Sequence, residues 1–118
     1  MAVNLRFPVD ARALPFGANA FGIVTAHNPL GRRVPARENE ERHRRLAARL
    51  ADLGWRHVRA TGRSADGHHA EPGFAVVAAR PDLLAVAEAF GQTAIFWFDG
   101  DRFWLWPVRG DPMPLPSE

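Results

Sequence analysis

The chain has 118 residues, 47% of them apolar and four of them Trp, which suffices for one packed two-layer domain and not for two. All 15 basic residues are Arg, set against 13 acidic ones, so the formal charge is only +2. That balance lacks the strong positive field of a nucleic-acid binder. The absence of Cys excludes disulfides, thiolate metal sites and cysteine nucleophiles. No apolar run approaches the ~20 residues that a membrane span needs, and Met1–Pro8 has no apolar leader pattern. A cytoplasmic protein is therefore expected.

Residues 1–20 read as an extended arm with apolar anchors, because Pro8 and Pro15 forbid a continuous helix. Phe16 and Phe21 would peg it over the sheet. The domain proper is expected over 21–109, opening with Phe21-Gly-Ile-Val-Thr-Ala-His-Asn-Pro-Leu-Gly31. Here an apolar strand runs into a polar turn, where open α/β sheets tend to hold ligands. After an Arg-rich loop, a helix is predicted from about Ala36 to Leu53. Asn39, His43, Leu46, Leu50 and Leu53 share its inner face. Gly54 fits the left-handed residue after the helix, with Trp55 packing back on Leu50.

A second strand runs from Arg56 to about Thr61, with Val58 and Ala60 on one face and His57, Arg59 and Thr61 on the other. The turn-rich stretch Gly62–Gly67 and the lead-in His68–Gly73 separate it from a third strand, Phe74–Ala79, whose continuous apolar run predicts burial on both faces. Pro81 fits the first turn of a second helix that ends at Phe90 before Gly91. Thr93–Phe98 and Arg102–Trp106 then form a hairpin around Asp99-Gly-Asp101, where Asp-Gly predicts a type I′ turn. Both hairpin faces are apolar, so the arm or a second subunit should cover the outer one. Residues 110–118 read as a Pro-rich tail, loosely held. The order β-α-β-β-α-β-β predicts an α+β, two-layer fold. Two helices lie on one face of a mostly antiparallel sheet, with ferredoxin-like topology as the first candidate.

Four short motifs occur in order: Thr25-Ala-His-Asn-Pro29, Glu38-Asn39-Glu40 with Arg42, Asp66-Gly67 followed by Glu71-Pro72, and Phe90-Gly91-Gln92. Together they resemble the bacterial domain-of-unknown-function family 3293, from about Phe21 to Phe98. The resemblance sets Thr25, Asn28, Asn39, Glu71 and Gln92 at family-typical positions. Gly73 and His43 depart from it, standing where a Ser and a second helix Asn are usual. It implies no activity and no cofactor.

Polar residues on an apolar stripe are the functional signal. Asn39 and His43 should approach Thr25, His27 and Asn28. A ligand cleft lined by Thr25, Asn28, Asn39, Glu71 and Gln92, with Arg32, Arg33 and Arg42 as cations, would take a small anionic metabolite or nucleotide. If chemistry occurs, Glu71 is the candidate base and His27 or His43 its partner. The plain alternative is that Asn28 and Asn39 bond each other or the loop backbone, and that Glu71 pairs with a loop Arg. No metal site is assigned. His68 and His69, with Asp66 and Glu71, are the right atom types, but neighbours on an extended chain point opposite ways. A second reading makes the aromatic hairpin a protein-interaction or homodimer surface. RNA stacking on Trp97, Trp104 and Trp106 ranks last, since few Arg interleave with them.

Overall fold

The computed structural model describes residues 2–6, 20–63 and 70–115. Within them seven strands form one sheet: β1 Ala2–Arg6, β2 Phe21–Thr25, β3 Arg56–Arg63, β4 Ala70–Val77, β5 Ala94–Phe98, β6 Phe103–Pro107 and β7 Met113–Pro114. Two helices, α1 Ala36–Leu53 and α2 Arg80–Ala89, pack on one face. The order across the sheet is β1-β3-β4-β2-β5-β6-β7. Its centre, β3-β4-β2-β5, is antiparallel throughout. With α1 joining β2 to β3 and α2 joining β4 to β5, this is the ferredoxin-like split βαβ arrangement. The α+β two-layer fold expected from element order is the fold observed.

Differences from expectation lie at the edges. Ala2–Arg6, read as part of an arm, adds a strand parallel to β3. Pro8, Pro15 and Phe16 lie outside the described residues, as do Asp66, Gly67, His68 and His69. The tail returns to the sheet at Met113–Pro114, pairing with β6. Glu71-Pro72-Gly73 is strand rather than lead-in loop. Pro72 is tolerated there because β2 ends opposite Gly73, leaving β3 as the ladder neighbour of Pro72.

Helix α1 forms as its stripe predicts, with Asn39, Leu46 and Leu50 buried. It stops at Gly54, φ 70°, with Gly54 N–H on Ala51 O at 3.0 Å and Trp55 N–H on Leu50 O at 3.2 Å, the paired bonds of a Schellman end. Strand alternation splits the core in two. Val24, Phe74, Val76, Ile95 and Trp97 meet Leu46, Leu50 and Leu83 of the helices. Phe21, Ile23, Ala60, Ala75, Phe98 and Phe103 cluster on the opposite face, where the ring of Phe21 lies 5.3 Å from that of Phe98. Leu115 packs against that cluster and donates its N–H to Phe103 O at 2.9 Å, so the C-terminal segment supplies part of the cover.

The hairpin turn differs from type I′. Asp99 N–H donates to Arg102 O, which puts Gly100 and Asp101 in the centre. Gly100 has φ 104°, whereas Asp101 is not among the described residues at positive φ, and type I′ needs both positive. The Asp99 carboxylate takes over part of the closure, accepting the N–H groups of Asp101 and Arg102, each at 2.8 Å, and Trp104 Nε1–H at 2.8 Å. These bonds hold its pKa below the ordinary value, the Arg102 N–H contributing most.

Candidate functional site

The polar turn after β2 is a hydrogen-bonded knot. Asn28 N–H donates to Asn39 Oδ1 at 2.9 Å, and Asn39 Nδ2 returns a bond to Asn28 Oδ1 at 3.0 Å. Asn28 Oδ1 also accepts Val34 N–H at 3.2 Å, which ties down the loop leading to α1. Arg42, one helical turn beyond Asn39, donates Nε–H to Ala26 O at 2.7 Å and Nη2–H to Phe90 O. Gln92 Nε2 donates to His27 O at 3.0 Å, and Leu30 N–H to Gly91 O at 2.6 Å. The turn is thus fastened to α1 on one side and to the end of α2 on the other. Gly91 permits this approach: it has φ 75°, and a Cβ on it would stand 2.7 Å from Pro29 Cβ.

The fastened backbone is strained. Asn28 (φ 47°) and Leu30 (φ 56°) both occupy the left-handed region. Asn is tolerated there, while a residue such as Leu costs ~1–2 kcal/mol. The Leu30 side chain is also 65% exposed, so it recovers little of that cost by burial.

Beside the knot lies a shelf of imidazoles. The His43 ring stacks on Phe74 with centroids 4.7 Å apart, and His27 meets it edge-on at 6.0 Å. His57 packs edge-on against the other side of Phe74 at 5.6 Å. Its Nδ1 stands 2.7 Å from Trp55 O, which makes that nitrogen the donor. Arg59 pairs with Phe74 across the β3–β4 ladder and projects to the same face. His43 Nδ1 is buried with no hydrogen-bond partner. Burial lowers the pKa of both His27 and His43 from 6.5, helped by their mutual repulsion at His27 and by the Arg59 charge at His43.

Glu71 stands apart. Strand alternation puts it with Gly73 and Ala75 on the face away from the helices, where Thr25 also points. The Thr25 hydroxyl donates to Pro72 O at 2.7 Å and accepts His27 N–H at 3.1 Å. Glu71 keeps an exposed edge, yet partial withdrawal from water raises its pKa, and the neighbouring Thr25 hydroxyl pulls it part of the way back.

The family model described as "Protein of unknown function (DUF3293)" matches residues 24–95. The chain belongs to this family. No curated protein and no solved structure matches it significantly. The DUF3293 match takes in the whole knot, from Thr25 to Gln92, and the shelf of imidazoles. It stops at Ile95, before most of the aromatic hairpin.

Of the residues read from the sequence as a site, the DUF3293 fold brings Asn28, Asn39, Arg42 and Gln92 together, with every one bonded inside the protein. His27 and His43 meet beside them. Thr25 and Glu71 neighbour each other on the opposite side of the sheet. Arg32 and Arg33 are exposed in the loop before α1. The sequence reading did not count His57, Arg59 or Phe74 as site residues. A signal existed: polar residues at 57, 59 and 61 occupy the strand face that turns toward the helices, where a core position would be apolar. Among the described residues no helix is long and apolar enough to cross a membrane.

Proposed function

We propose that this DUF3293 domain binds a small anionic metabolite or nucleotide, through its carboxylate or phosphate, on the shelf where the turn after β2 meets α1 and β3. The observation that carries the reading is His43, with a buried, unpartnered Nδ1 and a ring stacked on Phe74 between His27 and Arg59. A buried polar atom without a partner costs about 1–3 kcal/mol, and an unsatisfied group of this kind calls for a role. Arg59 contributes a permanent guanidinium able to fork onto an oxyanion. The two imidazoles are neutral near pH 7. An incoming anion favours their protonation, so affinity rises as pH falls.

The reading is one of binding, and no reaction is assigned. Glu71 faces away from the rings and has no contact with them that would make it their proton partner. Asn28, Asn39, Arg42 and Gln92 serve as the frame of the shelf in this reading, because their side chains already bond one another and the neighbouring backbone. The competing reading, an interface on the aromatic hairpin, has less support. Trp97, Phe98 and Phe103 are buried in the single chain, and Arg80 stacks over Trp106 at 3.8 Å.

Proton NMR of the imidazoles, followed during titration with inorganic phosphate, a nucleoside monophosphate and a dicarboxylate, tests the proposal. Saturable shifts of His27 and His43 are expected for at least one probe. His43→Asn and Arg59→Gln should each weaken binding about tenfold. If no probe moves either ring, the shelf is not a binding site.

A further inference from the structure

The fold divides the near-neutral charge of the chain into two unlike sides. Residues 31–63 hold ten Arg against four acidic residues, whereas residues 70–115 hold three Arg against six. The first stretch is the loop before α1, α1 itself and β3; the second is β4, α2, the hairpin and the returning tail. Strands β4 and β2 stand between β3 and the β5-β6-β7 end of the sheet. A formal charge of +2 conceals this separation, because exposed charges beyond about 10 Å are largely screened.

The basic side concentrates on one flank of α1. Arg42 reaches the end of α2 and Arg49 lines the groove between the helices, so their flank faces α2. The helical turn then puts Arg37 and Arg44 outward on the side that leans to β3. They are seven residues apart, two turns or about 10 Å. Arg59 extends the surface onto β3, close enough for its charge to act on His43, and Arg32 and Arg33 stand in the loop just before the helix. All five side chains are exposed and make no hydrogen bond or ion pair among the described residues. Glu40 is the one acidic residue on this flank. Glu41 is taken by Arg45 at 2.7 Å, and Glu38 and Asp52 fall on the side that leans to α2.

We propose that this basic flank docks the phosphate backbone of a duplex nucleic acid, without reading its sequence. Unpaired guanidinium forks suit phosphate oxygens, and several of them in one surface match a repeating anion. A duplex is favoured over a single strand, because strand binding relies on aromatic stacking and the partly exposed Trp104 and Trp106 belong to the acidic side. It is favoured over an anionic lipid surface, which takes a broad apolar strip. The flank presents Arg and Ala instead, with Leu30 as the one exposed large apolar side chain near it among the described residues. Of the five Arg only Arg59 also borders the shelf, so either surface can be lost without the other.

Fluorescence anisotropy of a short labelled DNA duplex of mixed sequence, titrated with the full chain at several salt concentrations, tests this. The wild type should bind, with log Kd rising against log salt at a slope of about 4, near 0.9 per phosphate engaged. Arg37→Gln with Arg44→Gln should weaken binding about tenfold or more at low salt and lower the slope by about two. Its thermal midpoint should hold, since neither side chain has a partner to lose. Arg109→Gln, on the acidic side, should change neither affinity nor slope. A wild type that leaves the duplex free at about 50 mM salt overturns the proposal. So does a double variant that binds as the wild type does, a single strand bound more tightly than the duplex, or capture by phosphatidylglycerol vesicles in preference to the duplex.

Discussion

Asn39 sits on the apolar stripe of a helix, and its amide satisfies both the N–H and the side-chain oxygen of Asn28 at once. Removing it strands a backbone donor, while Asn28 Oδ1 keeps only Val34 N–H. Asn39→Ala should therefore cost about 1–3 kcal/mol in urea denaturation. It should also release the loop before α1, seen as faster amide hydrogen exchange at Val34. Ligand binding on the shelf should suffer less than stability, because the imidazoles and Arg59 do not touch Asn39 through any hydrogen bond. A variant that unfolded normally yet lost all binding would move Asn39 from the frame into the site.

Among elements, β4 is the one whose sequence looks least like a strand and whose geometry explains why. A Cβ on Gly73 would stand 2.3 Å from Val24 O, whereas one on Gly62 would meet nothing closer than Glu71 O at 4.0 Å. Gly73→Ala should thus force the β2–β4 ladder apart and cost about 1–3 kcal/mol, with Gly62→Ala as a near-neutral control in the same denaturation series. The same pair shows what was legible beforehand. The helices, the Schellman end at Gly54 and the element order could be read off, because periodicity of 3.6 or 2 and glycine punctuation are local signals. That Glu71-Pro72-Gly73 continues a strand could not, since Pro and Gly locally signal a turn and only the early end of β2 makes Pro72 admissible. The site was legible in half. Asn28, Asn39, Arg42 and Gln92 do gather, but the bonds they make to one another and to the turn's backbone depend on the left-handed turn at Asn28–Leu30, which sequence spacing does not encode. Glu71 falls on the face away from the helices for the same reason that β4 starts early: strand phase is fixed by pairing, and a longer strand determines which side each residue takes.

For the whole molecule, titration couples the shelf to stability, and the signs separate the groups. His27 and His43 have folded pKa values lowered below 6.5, so the unfolded chain binds protons first as pH falls and stability is lost below 6.5. Glu71 behaves oppositely. Its folded pKa is raised above 4.5, so its contribution is favourable at low pH and disappears as pH rises through the folded value. Asp99, held below 3.8, stabilises at neutral pH and adds to the acid loss only under stronger acid. Thermal midpoints measured from neutral to acid pH should therefore fall once pH drops under 6.5. His43→Asn should flatten that limb, because one of its two proton acceptors is gone. Glu71→Gln should leave the limb in place and raise the midpoint more at neutral pH than near pH 4.5. An acid limb unchanged in His43→Asn would mean that the ring is not desolvated. The binding reading, which rests on a partly buried imidazole with an unpartnered nitrogen, would then lose its footing along with the stability argument.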